Sequence, residues 1–200
     1  MKMLIKKQEK SKLNNLGFSL LELMVTVAIM AVMLGGSITT YRTVTRANVK
    51  KANSYINDEI SIAREKAKTI AADEWVFMLE ATGKTVNASV YKVISEENKG
   101  DVWTLMSVQA LPQNVKISFT DSKGVNTIKI GNGGTDVKRL GIVFAPLTGK
   151  VKSIKTYSET GAVISTISMS GASYCDIVSQ HRTKVKKVRI YYLTGKHIEV

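Results

Sequence analysis

The sequence predicts an α+β fold: a long N-terminal helix packed on a C-terminal head of antiparallel β-strands. Three observations carry this. From Phe18 to Ile38, 21 residues include one ionisable side chain, Glu22. From Tyr41 to Ile70 apolar residues recur at three- and four-residue steps, the period of one helix face. Beyond residue 74 the pattern becomes short alternating runs parted by glycine-containing turns, the signature of antiparallel sheets. At 200 residues, 44% hydrophobic and 22% charged, the chain has enough apolar material for one real core, which excludes a disordered protein.

The first segment, residues 1–17, is basic. It holds Lys2, Lys6, Lys7, Lys10 and Lys12 against Glu9, a net +4, and leaves +9 of the formal +13 on the rest. A field of that sign favours polyanions such as nucleic acid, anionic headgroups or acidic wall polymers, or serves solubility alone. The apolar run 18–38 follows. At ~1.5 Å per residue it is long enough to cross a bilayer core of ~30 Å. The lysines on its N-terminal flank place the N-terminus in the cytoplasm and the head outside. A cleaved secretory signal needs a shorter apolar region and a small-residue cleavage site, and "VMLGGSI" is a poor one. A plain signal anchor fits the length but gives Glu22 no purpose, since a carboxylate among lipid-facing residues is costly and marks a function or a partner.

The stretch "LGFSLLEL" resembles the processing site of type IV prepilins and the related pseudopilins: a short basic leader ending in glycine, then phenylalanine, then a hydrophobic run with glutamate at the fifth position. The resemblance implies a leader over 1–17, cleavage by a prepilin peptidase between Gly17 and Phe18, and N-methylation of Phe18. It implies that Glu22 pairs with the liberated amine of a neighbouring subunit and so guides assembly into a filament of other pilins or pseudopilins. It also implies a lollipop plan, with residues 18–38 as the transmembrane or filament-core helix, 39–73 as its amphipathic continuation and 74–200 as the β-rich head. Major pilins commonly carry a proline after the membrane run. Here Gly35 and Gly36 stand there instead, and each weakens a helix by roughly 1 kcal/mol relative to alanine.

Within the amphipathic segment Val44, Ala52, Ile56, Ile60, Ala63 and Ala67 form the apolar face, and the helix is expected to end near Ala72. Strands are expected at "WVFMLE", "TVNASVYKVI", "WTLMSVQA", "VKISFTD", "NTIKIG", "RLGIVFA", "GKVKSIKTY", "AVISTISMS", "KVKKVRIYYL" and "KHIEV". The segment Arg139–Val200 resembles the GspH/FimT-type head of minor pilins and minor pseudopilins, which implies a minor subunit of a type IV pilus, type II secretion or competence filament.

Catalytic chemistry is not expected, and no cofactor or metal site is predicted: His181, His197 and Cys175 are the chain's only histidines and cysteine. A Cys175/His181 nucleophile pair lacks an orienting third residue, and Cys175 reads better as a small buried hydrophobe. The glycines of "IGNGGTD" do not open a helix, so they do not form a phosphate cradle. The basic run "HRTKVKKVRIYY" is more informative. As a strand it turns Val188, Ile190 and Tyr192 one way and Lys187, Arg189 and Tyr191 the other, with Arg182 and Lys184 just before. Some FimT-like minor pilins take up DNA through a basic C-terminal region. The resemblance thus implies DNA as a partner of Arg182, Lys184, Lys187, Arg189 and Tyr191, against a solvated strand whose lysines deter edge aggregation. A membrane-anchored globular protein unrelated to filaments is the remaining alternative.

Overall fold

A computed structural model describes residues 19–70, 73–96, 100–131 and 136–200. The fold is α+β: one helix, α1 (Leu20–Thr69), precedes eleven described strands. The chain divides into two compact units, Met1–Arg42 and Thr43–Val200. The helix runs unbroken through Gly35, so the glycines do not interrupt it, and it ends at Thr69, close to the expected end.

In the second unit the strands form two antiparallel sheets. They are β1 (Glu74–Thr82), β2 (Thr85–Glu96), β3 (Gly100–Ala110), β4 (Lys116–Asp121), β5 (Thr127–Ile130), β6 (Arg139–Phe144), β7 (Val151–Tyr157), β8 (Val163–Ile167), β9 (Tyr174–His181), β10 (Lys184–Tyr191) and β11 (His197–Glu199). The first sheet has the order β3-β2-β1-β6-β7-β8 and the second β11-β10-β9-β4-β5. Every strand anticipated from alternation is present. The strand that the pattern does not predict, β9, is the centre of the second sheet. Asp176, Ser179 and Gln180 interrupt its apolar rhythm, and two of those polar residues are buried. Asp176 is tolerated there because Arg189 stands directly opposite in the β9–β10 register and neutralises it.

One core joins the helix to both sheets. Ile56, Ile60, Ala63 and Ala67 of α1 pack with Trp75, Phe77, Leu140 and Phe144 of the first sheet and with Phe119, Ile177, Val188 and Ile190 of the second. Polar contacts fix the helix at both flanks. On one side Ser107 Oγ of β3 donates to Glu59 Oε1 at 2.7 Å. On the other, Ser61 Oγ lies 2.8 Å from His197 Nε2 of β11. Ser61 Oγ also donates to the Asn57 carbonyl, which leaves it to accept from the imidazole N–H.

Two identical tetrapeptides close the core near the helix C-terminus. Leu147–Lys150 and Leu193–Lys196 both read Leu-Thr-Gly-Lys, and turn the β6–β7 and β10–β11 connections. Each turn glycine has positive φ, 64° at Gly149 and 62° at Gly195. A Cβ at Gly195 would overlap the Gly149 carbonyl, so the turns touch only because side chains are absent there. Above them the Leu147 amide donates to the Ala67 carbonyl at 2.8 Å and Arg64 Nη2 to the Thr194 carbonyl at 3.1 Å. A smaller cluster lies on the other face of the first sheet. Tyr157 lies over Gly141 and meets Trp103 edge-on at 5.3 Å.

Candidate functional site: the exposed start of the helix and the basic sheet face

The helix begins with a cap that the sequence reading did not single out. Ser19 precedes it and its Oγ accepts from the Leu21 amide at 3.2 Å. Glu22 falls in the first turn, three residues after Ser19. The spacing S-x-x-E is that of a capping box, and it was legible as such. An acidic group in the first turn opposes the partial positive charge of the helix N-terminus. Thr26 Oγ1, one turn further, donates back to the Leu23 carbonyl at 2.9 Å, so this hydroxyl is satisfied without water.

Around Glu22 the helix is apolar on all sides and none of it is covered. Leu20 is 78% exposed, Met24 66% and Val32 76%. Among the described residues α1 is the one helix long and apolar enough to cross a membrane. Gly17 and Phe18, the expected cleavage and methylation positions, lie outside the described residues, as does the whole leader.

An amine freed at Phe18 would precede the cap by one residue. A cation there meets the positive end of the helix and is unfavourable unless a carboxylate answers it. Glu22 is the sole ionisable group within reach along the apolar run. In low dielectric such a pair is strongly coupled, and an unmatched member is expensive. The local arrangement therefore makes Glu22 suitable for holding an N-terminal amine, of its own chain or of a neighbour.

The second candidate region is the solvent face of the second sheet. Val188, Ile190 and Tyr192 are buried, as the alternation of β10 requires, and Lys187, Arg189 and Tyr191 lie on the opposite face, half-buried. Arg189 is not reaching outward. Its Nε and Nη2 donate to the two carboxylate oxygens of Asp176 at 2.8 and 3.0 Å. Its guanidinium also lies 3.9 Å from the centre of the Tyr174 ring, which in turn meets Tyr191 edge-on. Tyr174 and Asp176 escaped sequence reasoning because β9 did. Arg182 takes positive φ, 54°, in the β9–β10 turn, and Lys184 begins β10 beside it. Across the sheet Lys129 is opposite Ser118, Ser118 opposite Val178, and Val178 opposite Lys187, so one row of register joins two lysines. Lys116 starts the neighbouring row. Asp176 is the one carboxylate that these strands place on that face.

Cys175 and His181 stand at opposite ends of β9, six residues apart, which at ~3.3 Å per residue separates them by about 20 Å and rules out a nucleophile pair. Cys175 is fully buried, and burial pushes its thiol well above the ordinary range. Among the described residues no group of three His, Cys, Asp or Glu side chains is arranged to hold a metal ion. Residues 132–135, most of the glycine-rich "IGNGGTD" stretch, lie outside the described residues.

Residues 12–38 match the family model of the prokaryotic N-terminal methylation motif, the signal of type IV prepilin-like proteins. No curated protein and no solved structure matches the chain.

Proposed function

We propose that the chain is a subunit of a type IV pilus-like filament. It is inserted through residues 18–38, trimmed by a prepilin peptidase between Gly17 and Phe18, and N-methylated on Phe18. Within that class we assign it a minor, GspH/FimT-type role in a pilus, type II secretion or competence filament. The assembled form then carries its head outside the cytoplasmic membrane, and the chain is the substrate of an enzyme rather than an enzyme itself. One observation carries the reading: a lone carboxylate, Glu22, sits in the first turn of a helix whose apolar side chains are uncovered all round, within the segment that matches the methylation motif. Glu22 answers the liberated amine, and the exposed apolar surface is covered first by lipid and then by the helices of neighbouring subunits.

The test is the mature N-terminus together with one substitution. Mass spectrometry of the membrane-borne protein is expected to give methylated Phe18 as its first residue. An intact leader, or a cut elsewhere, would favour a plain membrane-anchored protein. Glu22→Gln is expected to leave insertion and cleavage intact and to lower recovery in sheared fibres at least tenfold. Unchanged recovery would sink the role given to Glu22.

A second reading is favoured by the solvent face of the second sheet. Lys116, Lys129 and Lys187 share it with a single carboxylate, Asp176, which Arg189 already occupies. Such a face suits a polyanion, DNA included, with Tyr191 and Tyr174 as stacking surfaces. Arg189 then serves by holding Tyr174 rather than by reaching a phosphate. The detergent-solubilised chain should bind a short duplex at low salt, and a Lys129→Ala/Lys187→Ala variant should weaken binding and flatten its salt dependence. Equal binding by that variant would remove the second reading.

A further inference from the structure

The two ends of the head carry different charge, and connectivity tells which end is tied to the apolar run. Strand β1 starts four residues after the described helix gives way at Ile70, so it begins at the C-terminal end of α1 and runs back along it. Arg64 donates to the Thr194 carbonyl and Ser61 meets His197. The β10–β11 turn therefore lies at that same end, and the β9–β10 turn at the other. The end at which the helix enters the head, near Thr43, is built from the start of the helix in this unit, the β1–β2 turn, the chain leading into β4 and the β9–β10 turn.

This entry end is basic throughout. Residues 43–57, 81–90, 108–118 and 179–188 hold nine Lys or Arg and no Asp or Glu. Lys84 stands in the β1–β2 turn, and Lys116 pairs with Gln180 beside the β9–β10 turn. Alternation puts Lys184 and Lys186 on the side of β10 that carries Val188 and Ile190 into the core, yet both lysines are exposed. The core stops short of them, so this end bears ammonium groups where a closed end would bear apolar side chains. Among the described residues Lys50, Lys84, Lys184 and Lys186 enter no ion pair. The flanking connections bring two carboxylates: Glu159 is held by Lys138, and Asp136 lies against Gly131. The opposite end mixes signs, with Glu65, Asp73, Glu74, Asp101 and Asp121 among its cations.

The tether is short. Five residues carry the chain from Ile38, the end of the apolar run, to Thr43. Fully extended they reach about 18 Å; in the helical conformation of α1 they rise about 7.5 Å, inside the ~8 Å screening length of physiological salt. Orientation does not account for these cations, since the usual bias places positive charge on the cytoplasmic flank. A bilayer surface bearing phosphates does, because it offers negative charge at the distance the tether sets.

We propose that the entry end of the head rests on anionic phospholipid headgroups of the membrane that holds the chain, with Lys84, Lys184 and Lys186 as its principal contacts. Phosphates on a bilayer have no fixed pattern, and compact charges on flexible stems, offered by separate turns, suit them without a shaped pocket. The surface is distinct from the solvent face of the second sheet, because Lys184 and Lys186 have the inward parity of β10 and Lys187 the outward. The contact keeps the unassembled chain with its head at the bilayer and is given up when the chain leaves it. It rests on the membrane-spanning part of the reading above.

The experiment uses the full chain in lipid nanodiscs of phosphatidylcholine alone, or of phosphatidylcholine and phosphatidylglycerol in equal parts, each with a trace of headgroup-spin-labelled lipid. A fluorophore is placed at Thr183→Cys in the β9–β10 turn or at Val125→Cys in the β4–β5 turn at the opposite end, both exposed. The native Cys175 is fully buried and does not compete for label. Quenching at Thr183→Cys is expected to be at least threefold stronger in the anionic discs. High salt, or Lys84→Gln/Lys184→Gln/Lys186→Gln together, should remove the difference, and Val125→Cys should show none. Resistance to alkaline extraction from vesicles of the same lipids reports spanning separately. A chain that resists extraction but is quenched equally in both discs overturns the headgroup contact and leaves the spanning reading. A difference that the triple variant retains also overturns it, and if that variant binds a short DNA duplex less well in detergent, these lysines belong to nucleic acid instead. A chain extracted by alkali that still shows the difference overturns spanning and leaves the surface; loss of both overturns both.

Discussion

Between Leu20 and Leu34 the apolar side chains of α1 are exposed on every side, whereas between Val49 and Ala67 a single stripe, Val49, Ala52, Ile56, Ile60, Ala63 and Ala67, is buried, with Ile62 exposed beside it. Leu23 is 58% exposed and Ile60 0%. The polar residues differ in the same sense. The first stretch carries one charge, Glu22, in its opening turn. The second carries Lys50, Lys51, Asp58, Glu65 and Lys66, all of them exposed to water. One backbone conformation thus serves two solvents, and the distribution of side chains around the axis tells them apart: apolar all round for lipid or other helices, apolar on one stripe for a head that supplies its own core. Each stretch also holds one notable carboxylate. Glu22 lies among uncovered leucines, and Glu59 is 1% exposed against β3.

The comparison breaks most sharply at one residue in each half. Ile60→Ala removes a fully buried side chain from the joint core and is expected to destabilise the head by about 2–5 kcal/mol. Leu23→Ala, which touches no core residue, is expected to leave the melting of the head unchanged. Thermal unfolding of the detergent-solubilised variants measures both. If Ile60→Ala costs no more than Leu23→Ala, the second stretch does not depend on the head in the way its burial implies.

That contrast was legible in the sequence, because both halves of the helix announce themselves by period and by the spacing of charges. The hairpins were legible through their glycine turns, and the buried side of β10 through alternation. What stayed hidden has a common cause. Strand β9 carries a buried carboxylate, Asp176, on its outer face and a buried hydroxyl, Ser179, on its core face, and the acceptability of the carboxylate depends on a partner supplied by pairing. Asp176 makes sense only once Arg189 is opposite it. The reading of Arg189 as an outward cation failed to anticipate its carboxylate partner for the same reason. Ser19 is different. Its capping role is written in the local spacing with Glu22, and the same glutamate also carries the offset from Phe18, so one residue answers to two patterns.

A smaller effect sharpens how the second half is held. Ser61→Ala deletes the hydrogen bond to His197 of β11 and is expected to cost about 1 kcal/mol. The same change should speed amide exchange at the Lys187 and Val200 amides, which join β10 to the chain end. Faster exchange confined to the first sheet would mean that the helix is not tied to β11 by this contact.

The smallest effects concern pH, and two groups on either flank of the helix act in opposite directions. Burial raises the Glu59 carboxyl above its ordinary value; the Ser107 hydrogen bond opposes this and Asp58 adds to it. Between the unfolded and folded values the folded state binds more protons, so this group makes stability fall as pH rises through that window, upward from about 4.3. Burial lowers His197, with the Arg64 cation acting in the same sense, while the Gly195 backbone and Glu65 oppose it. Here the unfolded state binds more protons between the folded value and about 6.5, so stability rises with pH in that window and is lost as pH falls through it. Glu59→Gln preserves an acceptor for Ser107 and removes the first slope; His197→Gln removes the second. Denaturant midpoints measured from pH 4.5 to pH 7 should therefore move in opposite senses relative to the parent: with Glu59→Gln stability climbs more steeply with pH, and with His197→Gln it declines. If Glu59→Gln leaves the profile unaltered, Glu59 is solvated in the folded chain, and its likeness to Glu22 is closer than the buried contact with Ser107 implies.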